Sequence, residues 1–336
     1  FLLAPIAWIY GFVVWLRNLL YDDHILHSTQ VSIPTICVGN LAVGGTGKTP
    51  MAEYLISLLS SDYKVALLSR GYGRKTKGFR IANEHDTAQT IGDEPMQIHT
   101  HFPDIPVAVC ADRVKGVKRL QQLYPDLQCV ILDDAYQHRK LRCGFYVLLT
   151  PYDCLYTNDH LLPWGRLRDL PNQSHRANVV VVTKCPSQMQ PIDRRIVSNA
   201  LHLASYQHLV YSSIGYAPIA LNGTPLLVTG IANPLPLLEH LKTQCPDTEL
   251  LAFPDHHVFT KHDIAQIMHK AEQYSCVVTT EKDYMRLLQT PLVEQLGNKL
   301  QVLAIQTDLG IDKETFDRQI LLYVSENNRK LSTANC

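Results

Sequence analysis

The stretch Val38-Gly39-Asn40-Leu41-Ala42-Val43-Gly44-Gly45-Thr46-Gly47-Lys48-Thr49-Pro50 decides how this chain is read. It has the form of a phosphate-binding loop, with Ala42 at the position that is usually the first glycine. An apolar, β-branched run from Ile33 to Val38 precedes it and reads as a buried strand. An apolar-periodic segment from Met51 to Leu59 follows and reads as a helix, with Pro50 in the first turn, where a missing N–H costs nothing. Strand, glycine loop and helix together let backbone N–H groups and a helix N-terminus surround phosphates. Ala42, Val43, Gly44, Gly45, Thr46, Gly47, Lys48 and Thr49 are therefore the candidate nucleotide-binding residues. Lys48 would reach the β- and γ-phosphates, and the Thr49 hydroxyl would ligate Mg²⁺.

At 336 residues the chain is long for one core, and two domains are expected. Lys+Arg and Asp+Glu both number 31, which argues against a nucleic-acid binder, where a basic excess is the rule. The nine cysteines are scattered, odd in number and without a Cys-x-x-Cys pair, a pattern suited to a reducing compartment. With fifteen histidines, a single His earns a role only from its neighbours.

No charge interrupts Phe1 to Leu16, and Trp8, Tyr10 and Trp15 lie within that stretch. Sixteen residues at about 1.5 Å each fall short of a ~30 Å hydrocarbon core. With neither a basic leader nor a small-residue cleavage site, the stretch does not read as a signal peptide. Residues 1–24 are expected to form a helix lying in a membrane interface; a helix buried against the rest of the chain is the alternative.

Downstream, Val65–Ser69, Val107–Cys110, Cys129–Leu132, Tyr146–Leu149 and Val179–Thr183 are short apolar runs separated by helix-like or polar stretches. This alternation predicts an α/β fold: a mostly parallel sheet of the P-loop NTPase kind, with helices on both faces, over 25–210. Ligands of such sheets bind at the carboxyl ends of the strands, so the residues after each run matter most. Arg70, Tyr72 and Arg74 follow the first, as a cationic loop suited to an anion or sugar. Arg113 follows the second. Asp133 and Asp134 follow the third, where a strand ending in Asp holds Mg²⁺ directly or through water. Gln137 comes just after that pair, and Arg168 sits in a loop that could clamp a phosphate or cover the sheet edge. Asp93 and Glu94 have no evident structural task. In Thr183-Lys184-Cys185-Pro186, proline replaces the aspartate that would read guanine, which favours ATP. A connector is expected at 211–222 and a smaller α/β unit at 223–328, with 300–306 pairing back to the connector and a frayed tail after Ser325.

In this order the motifs resemble the tetraacyldisaccharide 4′-kinase family, the lipid A 4′-kinases of Gram-negative bacteria. The resemblance runs through the apolar N-terminus, the phosphate loop, Ser69-Arg70-Gly71-Tyr72-Gly73-Arg74 and Gly92-Asp93-Glu94-Pro95. It continues with Asp133-Asp134, Gln137-His138-Arg139, Leu162-Pro163, Gly165-Arg166-Leu167-Arg168, Phe253-Pro254-Asp255-His256-His257 and Thr280-Glu281-Lys282-Asp283. Ala135-Tyr136 stands where the family usually has Gly-Phe, and Asp169 where it often has Glu. The resemblance implies transfer of the ATP γ-phosphoryl group to the 4′-hydroxyl of a tetraacyl glucosamine disaccharide 1-phosphate, giving lipid IVA. It also implies an enzyme at the cytoplasmic face of the inner membrane, and it places His256 across the cleft from Asp93 as a catalytic pair. Substrate contacts are expected from Arg70, Tyr72, Arg74, Arg113, Gln137 and Arg168. The expected partners are the lipid disaccharide and a membrane surface, with no nucleic acid, and the protein is expected to act as a monomer. The competing reading is a membrane-associated P-loop switch or assembly ATPase; the extra lysine such loops carry is Val43 here.

Overall fold

The computed structural model describes residues 3–221, 223–231, 233–255, 257–288 and 290–334. Nine strands form the larger sheet, in the order Ile305–Asp308, His208–Tyr216, Val179–Cys185, Phe145–Pro151, Thr35–Asn40, Cys129–Asp133, Val65–Ser69, Val107–Val109 and Arg80–Ile81. The seven inner strands run parallel, and both edge strands are antiparallel to their neighbours. The expected α/β architecture is thus present, and each apolar run is a buried strand because both faces are covered.

Alternation along the strands divides the core in two. Cys37, Leu68, Leu132, Leu148 and Val180 face one way, against Val117 and Leu120 of the helix Arg113–Leu123 and Val197 of Pro191–Leu201. Ile36, Val38, Leu67, Ile131 and Val181 face the other way, against the helices Lys48–Leu59, Asp93–His101 and Lys313–Ala334. Phe316, Ile320 and Val324, four residues apart on the last of these, are fully buried on the larger sheet.

A four-stranded parallel sheet forms the smaller unit, ordered Glu249–Ala252, Pro225–Thr229, Cys276–Thr280 and Leu300–Leu303. The run expected to return to the connector breaks at Ala304. Leu300–Leu303 stays with the smaller sheet, and Ile305–Asp308 pairs with Ser213–Tyr216 of the larger one. The chain after Ala304 therefore packs on the larger unit, which differs from the expected 223–328 division. The segment expected as a connector differs too, since strand His208–Tyr216 runs into it. The tail is likewise helical to Ala334 rather than frayed, tied by Asn328 Nδ2 to the Gln128 carbonyl at 3.3 Å.

The N-terminal helix Ala4–Asp22 divides its faces between the two readings of it. Ala4, Ala7, Gly11, Val14, Asn18 and Tyr21, spaced three and four apart, are buried against the body. A β-carbon at Gly11 would lie 2.7 Å from Leu161 Cδ1, so a larger residue there would require the Leu161 side chain to move. Ile6, Trp8, Ile9, Phe12, Val13 and Trp15 point outward, with Trp8 71 % exposed. No helix among the described residues is long and apolar enough to cross a membrane.

Candidate active site

The phosphate loop leaves the central strand Thr35–Asn40, and its helix begins at Lys48. The first helical bond is Met51 N to the Gly47 carbonyl, so Pro50 removes no donor that the helix needs. Gly47 takes φ +86° at the helix entrance, a left-handed conformation that glycine adopts without strain. The loop is clamped from three sides. Asn40 Nδ2 donates to Thr46 Oγ1 at 2.8 Å, and Thr183 Oγ1 donates to the Thr46 carbonyl at 2.9 Å. On its outer side, Val43 N donates to the Arg166 carbonyl and Arg168 N to the Leu41 carbonyl, both at 2.8 Å. The Arg166–Arg168 segment thus lies along the phosphate loop itself, not only along the sheet edge.

Strand register brings the acidic pair to this loop, because Val38 is paired with Asp133. Asp133 is fully buried; Ser69 Oγ donates to its Oδ2 at 3.1 Å, while Oδ1 has no hydrogen-bond partner among the described residues. Burial, with the Glu94 and Asp134 carboxylates nearby, pushes Asp133 up to about 7. Burial would raise Asp134 as well, but hydrogen bonds from Arg168, with Lys48 and Arg113 close by, hold it below the usual carboxylate range. Lys48 Nζ is 3.9 Å from Asp134 Oδ1, and Arg168 Nη1 donates to Asp134 Oδ2 at 3.0 Å. Asp134 has a φ of +46°, which Asp tolerates better than most residues, and its carbonyl accepts from Arg113 Nη2 at 3.3 Å. Glu94 joins the group: burial raises it, but Lys282 and Lys48 hold it below the usual range.

Of the residues expected to touch substrate, Arg70 and Tyr72 are exposed beside this cluster. The other four are engaged inside the protein. Arg113 is 2 % exposed and donates to the carbonyls of Cys110, Ala111, Asp133 and Asp134. Arg74 donates to the Gly78 carbonyl at 2.6 Å, Gln137 Nε2 to the Asn40 carbonyl at 2.7 Å, and Arg168 to Asp134 and Asn40. Arg113, Gln137 and Arg168 fill the need of carbonyls or carboxylates left at the strand ends, which require donors once buried.

Asp93, expected as an unengaged carboxylate, accepts two hydrogen bonds from Arg286 of the smaller unit. Gly92 before it has φ +100°, and a β-carbon there would lie 2.9 Å from the Tyr72 carbonyl, so this glycine lets the cationic loop reach the Asp93 helix. His256 lies outside the described residues. Sequence reasoning gave no role to Glu94, Asn40, Lys282 or Arg286. For Glu94 the sequence does carry a signal, the two adjacent carboxylates of Gly92-Asp93-Glu94-Pro95 that open a helix.

The N-terminal helix meets the same region. Tyr10 OH donates to the Arg168 carbonyl at 2.9 Å, Arg17 Nη2 to the Gln137 carbonyl at 2.7 Å, and Asn18 Nδ2 to Asp169 Oδ1 at 2.7 Å. Asp169 thus joins the helix to the loop that lines the phosphate site.

The family model for tetraacyldisaccharide-1-P 4′-kinase matches residues 1–325. The chain belongs to this family. A tetraacyldisaccharide 4′-kinase of Bacteroides thetaiotaomicron is 43 % identical, over 98 % of this chain and 94 % of its own length. The one of Flavobacterium johnsoniae is 44 % identical over 97 % of each. Among solved structures, the fold is similar to that of the family member LpxK from Aquifex aeolicus, crystallised with ATP, at a TM-score of 0.73 and 24 % identity, over 96 % of this chain and 98 % of that one. Family membership bears out the sequence reading of a lipid A 4′-kinase.

Proposed function

We propose that the chain transfers the γ-phosphoryl group of ATP to the 4′-hydroxyl of a tetraacyl glucosamine disaccharide 1-phosphate, giving lipid IVA. The observation that carries this is the convergence of Lys48, Asp133, Asp134 and Glu94 on the phosphate loop of a chain in this family. The loop amides and Lys48 bind the phosphates and stabilise charge on the transferring group. The partnerless Oδ1 of Asp133, in a cluster of three carboxylates, fits a divalent cation, and Thr49, Asp133 and Asp134 would hold Mg²⁺ there. When bound, the ion offsets charge on the phosphates.

A sugar hydroxyl has a pKa far above neutrality, so a positioned proton acceptor helps. Asp93, with His256 expected opposite, takes that role in this reading. Arg70 and Tyr72, exposed beside the cluster, are the acceptor contacts. The outward apolar face of the Ala4–Asp22 helix rests in the membrane interface at the cytoplasmic face of the inner membrane, where the acyl chains of the acceptor are also dissolved. The enzyme acts as a monomer. Labelled ATP, supplied with the acyl-disaccharide or with no acceptor, tests the reading: label should appear in a lipid only with the acceptor. Hydrolysis that ignores the acceptor would support the switch ATPase instead.

A further inference from the structure

Arg286 belongs to the smaller unit, on the helix Glu281–Leu287, yet its guanidinium ends on a carboxylate of the larger one. Nε and Nη2 both donate to Asp93 Oδ2, at 2.9 and 2.8 Å. Nη1 donates to Asp283 Oδ1 at 3.0 Å and to the Gly230 carbonyl at 3.3 Å. Asp283 is itself fully buried, and its Oδ2 accepts from Thr229 Oγ1, the Gly230 amide and Thr280 Oγ1. The guanidinium is therefore fixed on its own unit, at the ends of the strands Pro225–Thr229 and Cys276–Thr280, where it meets Asp93.

Two further contacts follow the same line. One turn earlier on that helix, Lys282 Nζ lies 3.1 Å from Glu94 Oε1, so successive carboxylates of one helix are held by cations four apart on the other. Gly230, which anchors Arg286, also sits against the Phe253–His257 segment: a β-carbon on it would lie 3.0 Å from the Pro254 carbonyl and 3.3 Å from His257 Cβ.

We infer that Arg286 is a positioning residue for phosphoryl transfer. It pins the Oδ2 oxygen of Asp93, and so the place of the carboxylate beside the acceptor hydroxyl, and does so only when the smaller sheet is seated on the larger. This rests on the role of Asp93 proposed above. A planar fork anchored on one side suits the task, whereas lysine supplies charge without the plane. Closure of the two units then completes the catalytic geometry through a side chain that does not itself touch the substrate.

The test compares Arg286→Met, Arg286→Lys, Asp93→Asn and the Asp93→Asn/Arg286→Met double variant in the full-length protein, reading kcat, KM for ATP and Tm. Arg286→Met should lower kcat by about 10²-fold, the cost of a misplaced catalytic group, with KM for ATP changed less than about twofold. Arg286→Lys keeps the charge facing Asp283 and should recover part of the rate. In the Asp93→Asn background, Arg286→Met should cost less than about twofold more, because the two act as one unit. An equal cost of Arg286→Met in both backgrounds, or a lysine variant as fast as wild type, would overturn the role of Arg286 alone. An unimpaired Asp93→Asn would overturn the assignment of Asp93 and this inference with it.

Discussion

His101 places its Nε2 2.9 Å from Glu281 Oε1, across the boundary between the two sheets. Its Nδ1 is 3.0 Å from Glu53 Oε1 on the phosphate-loop helix, and Gln97 Nε2 donates to Glu53 at 3.0 Å and to Glu281 at 3.3 Å. A ring with a carboxylate on each nitrogen is a protonated imidazolium, which donates from both; as a metal ligand it would turn one nitrogen to the ion. The hydrogen bonds to Glu281 and Glu53, opposed by burial, raise His101 to about 10.

The sign of the pH effect follows from that shift. A histidine whose pKa rises on folding adds stability that is complete below its unfolded value of about 6.5. That contribution fades as the pH climbs toward 10. His101→Gln should therefore lower Tm most at pH 6, by roughly 2–4 °C for each ~1 kcal/mol lost. The gap to wild type should close by pH 10. A gap that is constant with pH, measured by thermal unfolding of both proteins, would contradict the imidazolium.

The outward face of the N-terminal helix makes a separate prediction. Trp8 and Ile9 are 71 % and 68 % exposed, so replacing both with Gln removes little internal packing. Co-sedimentation with phosphatidylethanolamine–phosphatidylglycerol vesicles should weaken about tenfold or more, since burying each side chain is worth ~1.5–3 kcal/mol. Tm should stay unchanged. Unaltered sedimentation would remove the membrane role from this face.

Arg168 holds Asp134 by two nitrogens and also reaches Asn40. Arg168→Ala should raise the Mg²⁺ concentration needed for half-maximal rate by about 10–100-fold, the usual cost of losing a partner behind a metal ligand. Arg168→Lys should recover little, because a point charge cannot hold both oxygens. A titration of rate against Mg²⁺ that leaves the midpoint unmoved would refute the arrangement.

Phe316 is fully buried on the larger sheet although it lies after the smaller unit in the chain. Phe316→Ala should cost about 3–5 kcal/mol in urea unfolding. A loss under ~1 kcal/mol would mean that the last helix is not part of the larger core.

How much was legible in the sequence depended on whether the cause was local. Val65–Ser69 was legible to the residue, because a strand covered on both faces must be apolar throughout. The loop helix and the Asp133–Asp134 pair were legible for a related reason: glycine conformation and strand-end chemistry are written in adjacent residues. The return of the chain at Ala304 was not, since Leu300 to Ile305 is one apolar run and only tertiary pairing shows that its halves serve different sheets. Arg113 was assigned to the substrate because an arginine after a strand has the same sequence signature whether it faces solvent or caps buried carbonyls. The pairing of Asp93 with Arg286 joins residues nearly two hundred positions apart, which no local pattern records.

The central claim is that phosphoryl transfer to the acyl-disaccharide takes place at Lys48. Its most direct test is the rate of labelled lipid formation from γ-labelled ATP and the tetraacyl disaccharide 1-phosphate, for wild type and Lys48→Ala side by side. Acceptor-dependent label in wild type, reduced by about 10²–10³-fold in Lys48→Ala at an unchanged Tm, is the expected result. Labelled lipid formed equally fast by both proteins would contradict the account.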